Sequence, residues 1–153
     1  MVEGTHQRPA VLTGGCQCGA VRYALYAKPD GASLCHCRMC QKAVGNAFAA
    51  YAGVPRADLA WTRGAPATFN SSPVAERGFC ARCGSTLSMH EAVLPDRVQV
   101  SLGSLDRPDL VRPDDHVWTS SQLPWLEGVD DLPRFAMISE AVPSRAAADD
   151  DGR

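Results

Sequence analysis

Val11-Leu12-Thr13-Gly14-Gly15-Cys16-Gln17-Cys18-Gly19-Ala20-Val21-Arg22-Tyr23-Ala24-Leu25-Tyr26-Ala27 is the stretch that decides the fold. Two runs of β-forming side chains flank a turn bracketed by glycines, and the turn carries two cysteines two positions apart. Side chains alternate along a strand, so Val21, Tyr23 and Leu25 share one face. The reading is a hairpin with thiols at its tip.

The chain outward from this hairpin repeats the theme. Pro29-Asp30-Gly31 is a turn signal, and the next apolar run leads into Cys35-His36-Cys37-Arg38-Met39-Cys40, with one short helical turn expected over 38–44. Residues 46–54 read as a strand with Phe48, Ala50 and Ala52 on one side, ended by Val54-Pro55. A hairpin is expected from Leu59–Trp61 and Ala67–Phe69, joined by Arg63-Gly64-Ala65-Pro66. A third cysteine segment, Arg77-Gly78-Phe79-Cys80-Ala81-Arg82-Cys83-Gly84, sits between strand-like stretches in the manner of a zinc knuckle, where glycine permits the tight turn. Residues 85–90 and 97–102 continue the β pattern. From 103 onward the chain is rich in Pro, Asp and Gly, with one strand expected at His116-Val117-Trp118 and a loop carrying Pro124-Trp125. There is no repeat, no heptad and no helical pattern long enough to organise a core, so many short strands predict an all-β fold.

Length and composition agree with one domain. The chain has 153 residues, enough for one real hydrophobic core and too few for two comfortable ones. The expected organisation is a leader at 1–10, a single domain at 11–140 and a disordered, Ala/Asp/Arg-rich tail at 141–153. Fifteen basic side chains stand against seventeen acidic ones, and the basic residues are scattered singly. That distribution argues against a nucleic-acid partner. Met1 to Pro9 contain no apolar leader segment, and nothing approaches the roughly 20 apolar residues that span a bilayer. The expectation is a cytoplasmic protein with no membrane partner.

A reducing compartment makes the seven cysteines metal ligands or redox groups rather than structural disulfides. Zinc takes thiolates at tetrahedral corners, usually from pairs of ligands close in sequence on turns. Cys16-x-Cys18 and Cys35-x-Cys37 place both sulfurs on one side of extended chain, while Cys37-x-x-Cys40 and Cys80-x-x-Cys83 have knuckle spacing. The simplest division makes Cys35, Cys37 and Cys40 a local three-sulfur cluster. It leaves Cys16, Cys18, Cys80 and Cys83 for a closed, structural site, whereas the three-sulfur site is open and suited to catalysis. Two other readings stand beside this one: cysteines as small buried hydrophobes, and a dithiol redox role for Cys35, Cys37 and Cys40.

The three motifs together resemble those of the glutathione-dependent formaldehyde-activating enzyme family, which includes centromere protein V-type domains. The resemblance rests on Gly14 to Tyr23, Cys35 to Cys40 and Arg77 to Ser85, followed by His116-Val117-Trp118 and Pro124-Trp125, and it covers about residues 11–135. It implies a β-tent of packed antiparallel sheets with zinc knuckles and little helix, and two zinc ions per chain; the missing fourth protein ligand is expected to make the second the more labile. It carries the structural ligand role onto Cys16, Cys18, Cys80 and Cys83 and the catalytic one onto Cys35, Cys37 and Cys40. The implied reaction is formation of S-hydroxymethylglutathione from glutathione and formaldehyde, so the implied partners are a small thiol and an aldehyde.

Other candidates are weaker. His36 lies between two ligands, but in extended chain its ring points away from the sulfurs. His6 belongs to the leader and His90 to a surface or structural role; His116 is the candidate for substrate contact or acid–base work. Trp61, Trp118 and Trp125 are core aromatics by default, the last two also pocket candidates. Arg22, Arg38 and Arg77 suit glutathione's carboxylates, although an exposed surface role is the default for each. No nucleotide loop or Ser-His-Asp arrangement is present, and no cofactor beyond zinc is expected. Against a zinc-dependent carbon–sulfur lyase stand two rival functions, a non-catalytic zinc-binding interaction module and a thiol redox or metal-sensing protein.

Overall fold

The computed structural model describes residues 8–136. His6, most of the leader and the expected tail at 141–153 lie outside the described residues. The chain divides into two units, one through Gln122 and one from Leu123 onward. The second carries two 3-10 turns, Pro124–Leu126 and Val129–Asp131. All strands and all seven cysteines lie in the first.

Among the described residues the first unit is built of ten short strands in two sheets, with one α-helix. Strands β1 (Leu12–Gly15), β2 (Arg22–Leu25) and β5 (Leu59–Arg63) form a three-stranded antiparallel sheet in the order β1-β2-β5. The larger sheet comprises β3 (Asp30–Cys35), β4 (Ala49–Pro55), β6 (Ala67–Ser72), β7 (Ala75–Phe79), β8 (Thr86–Glu91), β9 (Arg97–Ser101) and β10 (Asp115–Val117). Its order is β10-β3-β4-β9-β8-β7-β6, and only β10 against β3 is parallel. The opening stretch forms the hairpin its alternation requires, Leu12 opposite Leu25 and Gly15 opposite Arg22.

Tyr23, Leu25, Ala52, Val54, Val98, Val100, Leu102 and Leu105 make the main core. Val98 and Val100 are the two inward positions of β9, as period-two alternation demands. Leu25, Val54 and Val100 are fully buried, and each such side chain contributes about 1.5–3 kcal/mol. Tyr23 meets Trp61 edge to face at 5.6 Å and hydrogen-bonds Ser104 at 2.7 Å through its hydroxyl. Gly14 is required beside it: a Cβ there would lie 2.4 Å from the tyrosine ring and 2.6 Å from the Ser104 carbonyl.

Three expectations are corrected. Leu59–Trp61 and Ala67–Phe69 do not pair with each other; β5 pairs with β2 in the small sheet and β6 with β7 in the large one. Trp61 is drawn to Tyr23, and Gly64, at φ +58°, turns the chain toward the other sheet. The short helical element expected over 38–44 forms with those bounds as α1 (Arg38–Val44), seven residues long and closed by Gly45 in the left-handed conformation. Trp118 and Trp125 are not core residues, being 68% and 59% exposed. Arg77 is not a surface residue; it is 2% exposed.

Candidate metal centres

Two groups of thiols gather, within each of which the sulfurs all lie within 4.8 Å of one another: Cys16, Cys18, Cys80 and Cys83, and Cys35, Cys37 and Cys40. These are the two sets into which spacing divides the chain, and none of the seven cysteines is in a disulfide.

The four-cysteine group is made by two turns facing each other from different sheets. The β1–β2 turn supplies Cys16 and Cys18, and the β7–β8 turn supplies Cys80 and Cys83. The second turn folds as a knuckle because the Gly84 N–H donates to the Cys80 carbonyl (2.8 Å) and the Cys80 N–H to the Ser85 carbonyl (2.9 Å). Gly84 sits at φ +79°, where a Cβ is strained. Ser85 joins the turns: its Oγ accepts from the Gln17 N–H at 3.0 Å and lies 3.2 Å from Cys83 Sγ. That contact, together with the Ser85 and Cys18 N–H groups, brings the Cys83 thiol pKa down to about 5.

The sulfur spacing fits a tetrahedral metal. A Zn–S bond of about 2.3 Å gives tetrahedral corners about 3.8 Å apart. Cys16 and Cys18 sulfurs are 3.6 Å apart, and those of Cys18 and Cys80 are 3.9 Å apart. Beneath them lies a small apolar cluster of Val21 and the fully buried Leu87, with Trp61 alongside.

The three-cysteine group is local. Cys35 ends β3, Cys37 is the N-cap of α1, and Cys40 stands in its first turn. Cys37 Sγ accepts the Cys40 N–H at 3.3 Å, so a sulfur does the capping normally left to a hydroxyl or carboxylate. The site rests on Ala49 and Tyr51, with Val44 and Met89 packed against them. Three thiols this close resist joint ionisation. Burial pushes Cys35 up to about 12 and also raises Cys40. Cys37 is lowered; burial opposes this, but the Cys40 and Met39 N–H groups and the neighbouring thiols outweigh it. A divalent cation is the partner that lets all three carry charge, and the donor set fits zinc.

Of the other sequence candidates, His36 is fully buried, and its Nε2 lies 2.8 Å from Nδ1 of the exposed His116, the rings stacked at 5.1 Å. It belongs to neither thiol group. His90 hydrogen-bonds the Pro95 carbonyl at 3.3 Å, far along β8, in keeping with a structural role. Arg22 is committed to Asp106 through both terminal guanidinium nitrogens, and Arg38 to Gln41.

Three residues matter here that sequence reasoning undervalued. Buried Gln41 donates to the His36 carbonyl (2.6 Å) and the Ser121 carbonyl (3.0 Å), pinning α1 to the segment after β10. Trp118 follows Val117, which pairs with Cys35, and holds φ +57° with its indole exposed. A bulky residue there is an outlier of the kind that gathers at functional sites. Arg77 donates to Cys40 Sγ at 3.4 Å. It shares a β7 face with buried Ala75.

Comparison with known proteins gives a consistent result. Residues 11–121 match the family model described as "Glutathione-dependent formaldehyde-activating enzyme". A protein of Halomonas elongata named "Putative glutathione-dependent formaldehyde-activating enzyme" is 31% identical over 128 residues, covering 76% of this chain and 80% of its own length. A crystal structure of a Rhodobacter sphaeroides protein superposes with a TM-score of 0.56 at 24% identity, covering 69% of this chain and all of that one, which supports the fold.

Proposed function

The chain belongs to the glutathione-dependent formaldehyde-activating enzyme family, and from that premise we propose that it is a zinc-dependent carbon–sulfur lyase. Its substrate on this reading is a thiol–aldehyde adduct of the S-hydroxymethylglutathione type, made or cleaved at Cys35, Cys37 and Cys40. The observation that carries the proposal is the contrast between the two thiol groups: four sulfurs close one tetrahedron, whereas three leave a corner for a reactant.

Zinc held by these three thiolates would stabilise an incoming thiol as thiolate or polarise an aldehyde oxygen. The reaction balances simply. The thiol sulfur bonds to the aldehyde carbon, the carbonyl π pair moves to oxygen, and the thiol proton ends on that oxygen; cleavage is the reverse.

The protein's own groups supply position and proton handling. Cys37 and Cys40 are fixed by α1, Cys35 by β3, and Gln41 ties both elements to the 119–121 turn. With its Nδ1–H donating to His36 Nε2, the exposed His116 would present the lone pair of its Nε2 to take the thiol proton and return it to the developing alkoxide. The exposed indole of Trp118, carried on a backbone held at φ +57°, is the apolar contact for the adduct.

The test is the protein-dependent rate of adduct formation and breakdown, read by exchange-sensitive NMR above the spontaneous background, on anaerobically purified protein of measured zinc content. A rate that needs the second zinc ion supports the lyase. Full zinc loading with no rate above background, for glutathione or any small thiol tested, overturns it in favour of a binding module.

A further inference from the structure

Arg77 is a buried cation with an unusual set of partners. Its Nε donates to Ser71 Oγ (3.1 Å), one terminal nitrogen to the Tyr51 hydroxyl (3.1 Å) and the other to Cys40 Sγ (3.4 Å). Two of these are neutral hydroxyls. None of the ion pairs among the described residues involves Arg77. A charge at 2% exposure without an ionic partner is strongly disfavoured. The group able to offset it is the thiol cluster itself, once the cluster is anionic.

We propose that Arg77 is the counter-charge and positioning residue of the three-cysteine centre, and that it enables this centre to accept a second reactant in thiolate form. Three thiolates around one zinc ion leave a formal charge of minus one. A substrate thiolate at the fourth corner makes it minus two, beside an apolar floor of Ala49 and Tyr51 where such charge is expensive. The guanidinium brings the assembly back to minus one. By hydrogen-bonding Cys40 it also draws electron density from that sulfur and leaves the metal a stronger acceptor. Tyr51 and Ser71 hold the fork so that one arm must face Cys40. The thiolate half of this inference rests on the lyase reading; the charge half does not.

The experiment uses full-length protein with cobalt(II) in place of zinc. In Arg77→Met the thiolate-to-cobalt charge-transfer band of the three-cysteine centre moves to lower energy, because the Cys40 lone pairs lose their donor, and in Arg77→Lys it returns toward wild type. A lesion of packing alone would weaken the band through metal loss without moving it. Glutathione titrated into the same samples binds at least about tenfold more weakly to Arg77→Met, equivalent to about 1.4 kcal/mol, with Arg77→Lys recovering most of the loss. If Arg77→Met does not fold, Tyr51→Phe frees one arm of the fork and shifts the band in the same direction by less. Bands unmoved in both Arg77→Met and Tyr51→Phe overturn the proposal. A shifted band in a protein whose wild type binds no thiol keeps Arg77 as counter-charge and overturns the thiolate-accepting role together with the lyase.

Discussion

Cys83→Ser is expected to unfold the protein, and the reason lies in which parts the four-cysteine centre joins. Cys16 and Cys18 sit at the β1–β2 turn of the small sheet, and Cys80 and Cys83 at the β7–β8 turn of the large one. A metal at these sulfurs would bolt sheet to sheet across a separation of 62 positions, taken between Cys18 and Cys80. Treated as a cross-link, closing a loop of that length removes about 4 kcal/mol of chain entropy from the unfolded state. Domains of this size are stable by only about 5–15 kcal/mol, so the cross-link alone is a large fraction of the total. The apolar cluster beneath the site, Val21 and Leu87, is too small to substitute for it. The assay is urea unfolding followed by circular dichroism, with zinc content measured on the same samples. Wild type loses at least about 4 kcal/mol when stripped of metal, and Cys83→Ser is already at or below that level with metal supplied. An unchanged midpoint together with unchanged zinc content would refute the reasoning.

Cys37→Ser separates the two centres: serine still caps α1 through its hydroxyl, so circular dichroism stays native while zinc falls by about one per chain and lyase activity disappears. Mild chelation removes the same metal first, because one corner of its tetrahedron is open; simultaneous loss of both ions with unfolding would contradict the division. Trp118→Gly relieves the left-handed strain at φ +57°, so thermal stability is unchanged or rises by up to about 1 kcal/mol while adduct turnover drops. Arg22 holds the Asp106 carboxyl below its ordinary value despite partial burial, with Thr13 helping. The stabilisation is therefore present above the unfolded pKa of about 4 and fades as pH falls through the folded value. Asp106→Asn is less stable than wild type by about 0.5 kcal/mol at pH 7, since the pair is partly exposed and screened, and the difference closes in acid.

Where ligands lie within a few residues of each other, sequence determines geometry almost directly. Cys16-x-Cys18 and Cys80-x-x-Cys83 could be assigned because a hairpin tip and a glycine-ended knuckle can present their sulfurs in few ways. The partners of β5 and β6 could not be read this way. Both strands alternate acceptably and a turn joins them, so a hairpin is the local optimum; the packing of Trp61 on Tyr23, 38 positions away by number, decides otherwise. Trp118 failed for a related reason. A tryptophan is a core residue on average, and nothing in His116-Val117-Trp118 announces a backbone with positive φ. Arg77 failed because a charged side chain is assigned to the surface unless a partner is visible, and its partner, Cys40, is 37 positions distant.

The position of Arg77 also fixes the direction in which damage travels between the two centres. Strand β7 bears Arg77 and runs directly into Cys80, and the β7–β8 turn carries two of the four thiols that a metal would hold together. Losing that group frees the end of β7, and a guanidinium 3.4 Å from Cys40 tolerates little movement of the strand that carries it. The three-cysteine centre would then lose its counter-charge before any of its own ligands had changed. The converse does not follow, because Cys35, Cys37 and Cys40 come from β3 and α1, neither of which supplies a ligand to the other group. A Cys16→Ser protein, if enough of it folds to be loaded with cobalt, should therefore show the low-energy band of Arg77→Met at the three-cysteine centre, whereas Cys37→Ser should leave the spectrum of the four-cysteine centre unaltered. A Cys16→Ser spectrum identical to wild type at the three-cysteine centre would mean that β7 is held in place by its pairing with β6 and β8 alone.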